Sequence, residues 1–253
     1  MFFGEKLRNF KNIQHCFFSK NGGTSDGFYS SLNCGIGSLD NKEKVFKNLE
    51  IVSKKFNVSL NDLVLMKQTH SNKVIQIDEK NSHIKRFECD ALITKIENIP
   101  ISVLTADCVP ILIFEKLNRI IGCIHAGWKG ALNGIIENTI NKIRSLNSKN
   151  EIYVAIGPCI GKKSYEVKTD FYEKFLNNDK QSQFFFDKKN EDKFLFDLRG
   201  YVNSRLKKMN IHNFDNIELD TYMEKKNFFS FRRSVHLKEK DYGRCISTIC
   251  LKT

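Results

Sequence analysis

The sequence has few of the features that mark exported, membrane-spanning or fibrous proteins. Its 253 residues include 3 prolines and 1 tryptophan, and no serine- or glycine-rich linker or internal repeat is present. The longest apolar stretch, residues 99–114, is interrupted by Pro100, Asp107 and Pro110, so it falls short of the roughly 18 uninterrupted apolar residues that a membrane span needs. Charged residues stand where a signal peptide would be apolar. We expect a soluble, cytoplasmic protein with no membrane partner.

Familiar metal and redox patterns are missing as well. No Cys-x-x-Cys pair occurs among the 8 cysteines, which argues against a zinc ribbon or a thioredoxin-type site. No two of the 6 histidines are separated by one residue, whereas multicopper sites commonly use His-x-His pairs. In a reducing compartment thiols are more often core residues, metal ligands or nucleophiles than disulfide partners. Disulfides are therefore the less favoured interpretation.

The charge is strongly positive, with 41 Lys+Arg against 29 Asp+Glu and a net charge of +12. The lysines are scattered along the chain and no recognised RNA or DNA motif accompanies them, so we expect no nucleic-acid partner. A basic surface does raise the local concentration of small anions such as phosphate.

We expect one domain over residues 1–253, because nothing in the composition marks a boundary. Short apolar segments predict strands, and apolar residues at helical spacing predict helices. The predicted strands are 63–67, 73–77, 91–94, 101–105, 111–114, 120–125, 152–156, 228–231 and 245–251, and the predicted helices are 42–57, 132–146 and 197–209. Strands and helices mix without strict βαβ repetition, which favours a mixed α+β or α/β fold with mixed sheets covered by helices.

Three segments place a metal-ligating residue near the end of a predicted buried strand. They carry His70, Cys108 and His125. Two imidazoles and one thiolate are a ligand set that zinc uses in catalytic sites, where the fourth position is left for water or substrate. Each residue taken singly is more typical of a packed or hydrogen-bonded side chain, so only the three together indicate a metal site.

The motifs that contain these residues resemble the bacterial laccase-domain family. They are QTH (68–70), LTADCVPILIF (104–114), GCIHAGWKGALNGII (122–136), AIGPCIGKKSYEV (155–167), FFSFRR (228–233) and GRC (243–245). Members of the family have been called polyphenol oxidoreductases, peptidoglycan-editing factors and purine nucleoside phosphorylases. The resemblance spans nearly the whole chain, beginning at the Asn-Gly-Gly-Thr-Ser stretch at Asn21.

The resemblance implies both a chemistry and a fold. It implies zinc held by His70, Cys108 and His125, which would also be the catalytic residues. The implied reaction is phosphorolysis of adenosine, inosine, guanosine or methylthioadenosine, with adenosine deamination as a side activity. It further implies a layered α/β/β/α sandwich similar to that of cysteine hydrolases.

Phosphorolysis requires an anion site, for which five cations are candidates. These are Lys20, Lys129, Arg232, Arg233 and Arg244. Lys20 and Lys129 stand where the family usually has arginine, and lysine cannot grip an anion with two parallel hydrogen bonds as arginine does. Asp220 stands where the family usually has cysteine. We expect these departures to bear on substrate affinity or preference.

Two other enzyme classes stay open. Cys108 and His125 also fit a thiolate nucleophile with a histidine base, as in cysteine hydrolases or amidases that edit peptidoglycan precursors. Cu²⁺ is the alternative to Zn²⁺, because copper binds such ligands more tightly in the general affinity order. A copper ion at this site would indicate a phenol oxidase. The sequence leaves open whether the protein is a monomer or a homodimer.

Overall fold

The computed structural model describes residues 1–147 and 149–253. The strands are β1 (Ile13–Phe17), β2 (Leu65–Lys67), β3 (Val74–Ile77), β4 (Arg86–Glu88), β5 (Ala91–Thr94), β6 (Ile101–Thr105), β7 (Val109–Glu115), β8 (Ile120–Ala126), β9 (Ile152–Ile156), β10 (Glu166–Lys168), β11 (Phe186–Lys188), β12 (Lys193–Phe196), β13 (Phe214–Asn216) and β14 (Cys245–Leu251). The α-helices are α1 (Glu5–Arg8), α2 (Lys42–Lys55), α3 (Trp128–Leu132), α4 (Ile135–Ser145), α5 (Thr169–Asn178), α6 (Leu198–Lys208) and α7 (Phe231–His236).

The centre of the molecule is a six-stranded sheet in the order β13-β9-β7-β8-β5-β3. Its inner strands β9, β7, β8 and β5 pair antiparallel, and the outer strands β13 and β3 pair parallel with β9 and β5. Every residue of β7 and β8 is buried. These two strands lack polar alternation because both faces of the sheet are covered.

Layers of apolar side chains cover both faces of this sheet. On one side, Leu112 and Phe114 pack with Val103 and Ile249 of a three-stranded antiparallel sheet, β1-β14-β6. Helix α2 covers the outer face of that second sheet. On the opposite side, α4 and α6 pack against the six-stranded sheet. The order α2, three strands, six strands, α4 and α6 is an α/β/β/α layered mixed fold, as predicted.

The predicted strand at 228–231 is wrong. Phe228 and Phe229 are buried in a loop, and α7 begins at Phe231. Ser230 caps this helix, since its Oγ accepts a hydrogen bond from the backbone N–H of Arg233 at 3.1 Å. The apolar run therefore leads into a helix, with Phe228 and Phe229 buried and Phe231, the first helical residue, exposed.

The helix predicted at 132–146 is divided. Gly134 has φ +86°, a left-handed conformation that glycine adopts without steric cost, and it separates α3 from α4. Helix α4 then presents Ile135, Ile136, Ile140 and Ile143 to the central sheet. No helix in the described part of the chain is both long and apolar enough to cross a membrane.

Candidate metal centre

His70, Cys108 and His125 lie at one end of the central sheet. His70 is on the loop after β2, Cys108 immediately precedes β7, and His125 is the penultimate residue of β8. Because β7 and β8 pair antiparallel, with Val109 opposite Ala126, the start of β7 meets the end of β8. The ligand atoms of the three side chains all lie within 4.8 Å of one another. Cys108 Sγ is 4.0 Å from His70 Nε2.

Gly127 makes this approach feasible. A Cβ atom at this position would lie 2.9 Å from His70 Cδ2 and 3.0 Å from Cys108 Sγ. Both distances are shorter than carbon contacts at ordinary van der Waals separation. A side chain at residue 127 would therefore displace two of the three candidate ligands.

Asp90 fixes the positions of both histidines. Its buried carboxylate accepts a hydrogen bond from His125 Nδ1 at 2.8 Å. It also accepts from the backbone N–H groups of Thr69, His70 and Ser71, at 3.2, 3.0 and 2.7 Å. His70 has a left-handed φ of 58°, and these hydrogen bonds hold its loop in that conformation.

Asp90 is not among the site residues predicted from the sequence, although the sequence contains a signal for it. Asp90 directly precedes β5, whose four residues are all buried. A carboxylate beside a fully buried strand requires hydrogen-bond partners, so an aspartate at this position indicates a structural or functional hydrogen-bond network.

Electrostatic attraction between Cys108 and His125 favours the charged form of each side chain. Burial by itself would raise the pKa of Cys108, but charge attraction and hydrogen bonding to His125 and His70 outweigh it and lower the pKa to about 6. Burial likewise opposes protonation of His125, yet Cys108 and Asp90 raise its pKa to about 9. Both shifts favour the thiolate–imidazolium form of the pair over its neutral form.

The three side chains fit a metal ion. In a tetrahedral site with Zn–N near 2.1 Å and Zn–S near 2.3 Å, neighbouring ligand atoms are about 3.3–3.6 Å apart, so small rotations from the observed spacing suffice. His125 uses Nδ1 to contact Asp90, which leaves Nε2 for a metal; this carboxylate–histidine pairing recurs in metal sites. A thiolate with a lowered pKa is also the form of cysteine that binds metals.

The cluster lies in the wall of a cavity of about 960 Å³. Seven basic side chains and three carboxylates line it, so its interior favours anions. The basic side chains are Lys67, Arg86, Lys168, Lys174, Lys193, Arg232 and Arg244, and the acidic ones are Asp107, Glu166 and Asp170. Aromatic rings form further parts of the wall, namely Trp128, Tyr165, Phe171, Phe231 and Tyr242.

Of the five predicted anion-binding residues, Arg232 and Arg244 line this cavity. The Arg232 guanidinium lies 5.3 Å from the centre of the Tyr165 ring, and its Nη1 donates to the Glu166 carbonyl at 2.7 Å. Arg244 lies over Tyr242 at 4.2 Å. Arg244 Nη1 also donates to the Tyr242 carbonyl at 2.9 Å, and each guanidinium group has N–H donors beyond these hydrogen bonds.

The other three candidates lie outside the cavity lining of the described chain. Arg233 donates to the carbonyl oxygens of Thr221 and Tyr222, at 2.7 and 2.8 Å, and so holds the loop before α7. Lys20 lies over the Phe229 ring at 5.6 Å. Lys129 is exposed and lies over the Trp128 ring at 5.4 Å. Asp220, which departs from the family pattern, accepts a hydrogen bond from Ser164 Oγ at 2.6 Å.

Asp107 links the candidate metal centre to α7. Its carboxylate accepts hydrogen bonds from Thr221 Oγ1 at 2.7 Å, Ser230 Oγ at 2.9 Å and the Arg232 backbone N–H at 2.6 Å. Burial raises the pKa of Asp107 above its usual value, against the effect of these donors. The residue before Cys108 thereby positions the helix that carries Arg232.

The His-Cys-His cluster in an α/β/β/α fold makes this protein a candidate metalloprotein. Comparisons with known proteins show the family to which it belongs. The family described as multi-copper polyphenol oxidoreductase laccase matches residues 14–252, so the chain belongs to that family. It is 35% identical over 242 residues to a purine nucleoside phosphorylase of Rickettsia conorii, covering 95% of this chain and 97% of that protein. It is 34% identical over 244 residues to a purine nucleoside phosphorylase of Rickettsia prowazekii, covering 96% and 98%.

A solved structure shows the same fold. The hypothetical protein YfiH from Bacillus licheniformis is 28% identical, with a TM-score of 0.88 over 95% of this chain and 93% of that one.

Proposed function

We propose that this protein is a zinc-dependent purine nucleoside phosphorylase. It cleaves adenosine, inosine, guanosine or methylthioadenosine with phosphate, giving the free base and ribose or methylthioribose 1-phosphate. The observation that carries the proposal is the convergence of His70, Cys108 and His125 in the wall of a cavity that is both basic and aromatic. The names of the relatives from Rickettsia support the same reaction class.

The residues around the cavity match what this reaction requires. A phosphate oxygen bonds to the anomeric carbon while the glycosidic C–N bond breaks, and the departing base takes up a proton. Arg232 and Arg244 provide charged donors for phosphate. The aromatic walls provide flat apolar surfaces for a purine. Bound zinc would supply a Lewis acid, and Asp90 would keep His125 oriented toward it.

Adenosine deamination belongs to the same proposal as a side activity. It consumes water and releases ammonia, so it needs no phosphate. Removing one of the three candidate ligands will abolish both activities if a single metal serves both.

A paired assay tests this function. The zinc-loaded protein is incubated with inosine or adenosine, with and without phosphate, and bases and nucleosides are separated by chromatography. We expect free hypoxanthine or adenine only with phosphate, and ammonia release from adenosine in either condition. His70→Ala should abolish the reaction, while His83→Ala, a change at another exposed histidine, should not. Base release without phosphate, or full activity of His70→Ala, would contradict the proposal.

The low pKa of Cys108 favours a cysteine hydrolase as second candidate. In that enzyme the thiolate attacks an amide carbonyl and His125 transfers the proton to the leaving amine. Mass spectrometry of metal-free protein incubated with a peptidoglycan-type peptide amide would detect an acyl adduct on Cys108. Rapid alkylation by iodoacetamide that zinc does not prevent would also favour this candidate. Elemental analysis together with a phenol-oxidation assay decides between zinc and copper.

A further inference from the structure

The cavity has a second cationic wall, formed by the pair β10 and β12. Glu166, Lys168 and Lys193 of this pair all line the cavity. Lys168 lies directly opposite Lys193 in the antiparallel register, so both side chains project from the same face. Like charges directly opposite each other destabilise a strand pair. A counter-charge between or above the two ammonium groups would offset this repulsion.

The nearby carboxylate does not supply that counter-charge to Lys168. Glu166 Oε2 lies 2.7 Å from Lys189 Nζ, and Glu166 Oε1 lies 2.7 Å from Lys193 Nζ. Hydrogen bonds from Lys189 and Lys193 lower the pKa of Glu166 to about 2, so it is ionised and already shared by two lysines. Lys168 makes no ion pair with a carboxylate in the described chain. Lys168, Lys193 and the neighbouring Lys189 therefore carry three positive charges against the single negative charge of Glu166.

Arg232 connects the lysine wall to the residue beside the candidate metal centre. Arg232 donates from its backbone to Asp107, beside Cys108, and from its side chain to the carbonyl of Glu166, two residues before Lys168. At about 3.3 Å per residue of strand, Lys168 lies roughly 7 Å beyond that carbonyl along β10. The cavity volume of about 960 Å³ is near the upper end of the range for small-molecule sites, about 300–1,000 Å³. There is room for an anionic group beyond the nucleoside.

We propose that Lys168 and Lys193 form an anion subsite for the phosphate of a purine nucleoside monophosphate. The position of the base and sugar rests on the proposed function, but the lysine pair is a separate part of the cavity. A phosphate monoester carries a charge near −1.5 to −2 at neutral pH and offers three acceptor oxygens. It can therefore pair with both ammonium groups at once and offset their mutual repulsion.

Titration calorimetry on the zinc-loaded protein tests this subsite with adenosine 5′-monophosphate, adenosine and inorganic phosphate as separate probes. We expect the monophosphate to bind at least ten-fold more tightly than adenosine, with a preference that shrinks as salt is raised. Lys168→Gln should remove most of the preference and change adenosine binding less than two-fold. Lys168 is exposed, so the substitution leaves the core intact. The matched control is Lys47→Gln, at an exposed lysine on α2, which should keep the preference.

Three results would overturn the subsite. The first is equal affinity of the wild-type protein for the monophosphate and adenosine, or no binding of the monophosphate. The second is an unchanged preference in Lys168→Gln. The third is that inorganic phosphate binds as tightly as the monophosphate and that its binding depends equally on Lys168. The site would then be one for free phosphate. A Lys168-dependent preference without phosphorolysis supports the subsite while refuting the proposed function.

Discussion

At the residue scale, Asp90 acts on the candidate centre without contacting the metal position itself. One oxygen accepts from both the His125 ring and the His70 backbone, and the other accepts from Thr69 and Ser71. Burial disfavours the charged carboxylate, but hydrogen bonds from His125 and Ser71 outweigh it and hold the pKa of Asp90 below its usual value. Asp90 is therefore ionised and accepts hydrogen bonds at both oxygens.

Replacing Asp90 by asparagine should weaken metal binding by about 10–100-fold, the usual effect of losing a residue that orients a metal ligand. The amide keeps the shape but replaces one acceptor oxygen with a donor, so it cannot accept from all the same partners. Competition with a chelator measures the change in affinity. Asp192→Asn, at an exposed carboxylate in the turn before β12, is the charge-matched control. Equal metal affinity in the two variants would contradict this role for Asp90.

Much of the candidate centre was predictable because its ligands belong to local motifs. QTH, ADC and HAGWKG each contain one candidate ligand, and the strands beside Cys108 and His125 are apolar runs. The partners of Asp90 were not predictable, because Thr69 and His125 lie 21 and 35 residues from it in the chain. Nor does sequence reveal that Arg233 contacts backbone carbonyls while Arg232, its neighbour, lines the cavity.

At the element scale, α7 depends on hydrogen bonds made at its first residues. Ser230 Oγ accepts from the Arg233 backbone and donates to Asp107, and the Arg232 backbone N–H donates to the same carboxylate. Ser230 is buried, so water cannot replace these contacts. The helix that presents Arg232 is thus fixed to the residue preceding Cys108.

Ser230→Ala should lower the free energy of unfolding by about 1–3 kcal/mol. The substitution removes the helix cap and one of the hydrogen bonds donated to the buried Asp107 carboxylate. Urea denaturation measures the change. Ser204→Ala is a suitable comparison, because the Ser204 hydroxyl donates within α6 to Tyr201 and does not cap a helix. We expect that control to change stability by less than about 0.5 kcal/mol. A similar loss in both variants would show that the cap contributes nothing specific.

The elements differ in how far sequence determines them. Strands β7 and β8 were predicted because each is an apolar run buried on both faces. The segment FFSF has the aromatic composition of a strand, but its conformation is set by Ser230 and by Asp107, which is 123 residues away. Local propensity was overridden there by a distant hydrogen-bond partner.

At the scale of the whole molecule, acid stability is linked to His15, near the N-terminus on β1. Its Nε2 accepts a hydrogen bond from the Gly4 backbone N–H at 2.9 Å, so that nitrogen is unprotonated in the folded chain. Burial, followed by the charge of Arg8, lowers the pKa of His15 from 6.5 to about 4. Between these two values the unfolded chain binds more protons than the folded one, so stability falls as the pH falls from about 6.5 toward about 4.

This shift corresponds to about 3 kcal/mol of stability lost across that interval. His15→Gln keeps a side-chain acceptor but does not titrate, so its unfolding free energy should depend less steeply on pH there. Chemical denaturation at several pH values gives the pH dependence of the unfolding free energy for His15→Gln and for the wild-type protein. His212→Gln, the same substitution at an exposed histidine, is the matched control. Identical slopes for His15→Gln and wild type would exclude His15 as the source of acid sensitivity.

The division of the cavity between two sheets has a consequence for protein engineering. Cys108 and His125 lie on or next to strands of the central sheet and His70 lies on the loop after β2, whereas Lys168 and Lys193 belong to the separate three-stranded sheet β10-β12-β11. Under the proposed anion subsite, substitutions in the smaller sheet should change which molecules bind while leaving His70, Cys108 and His125 in place. A library confined to β10, β11, β12 and the turn between β11 and β12 should therefore change binding selectivity while leaving the candidate metal centre unchanged.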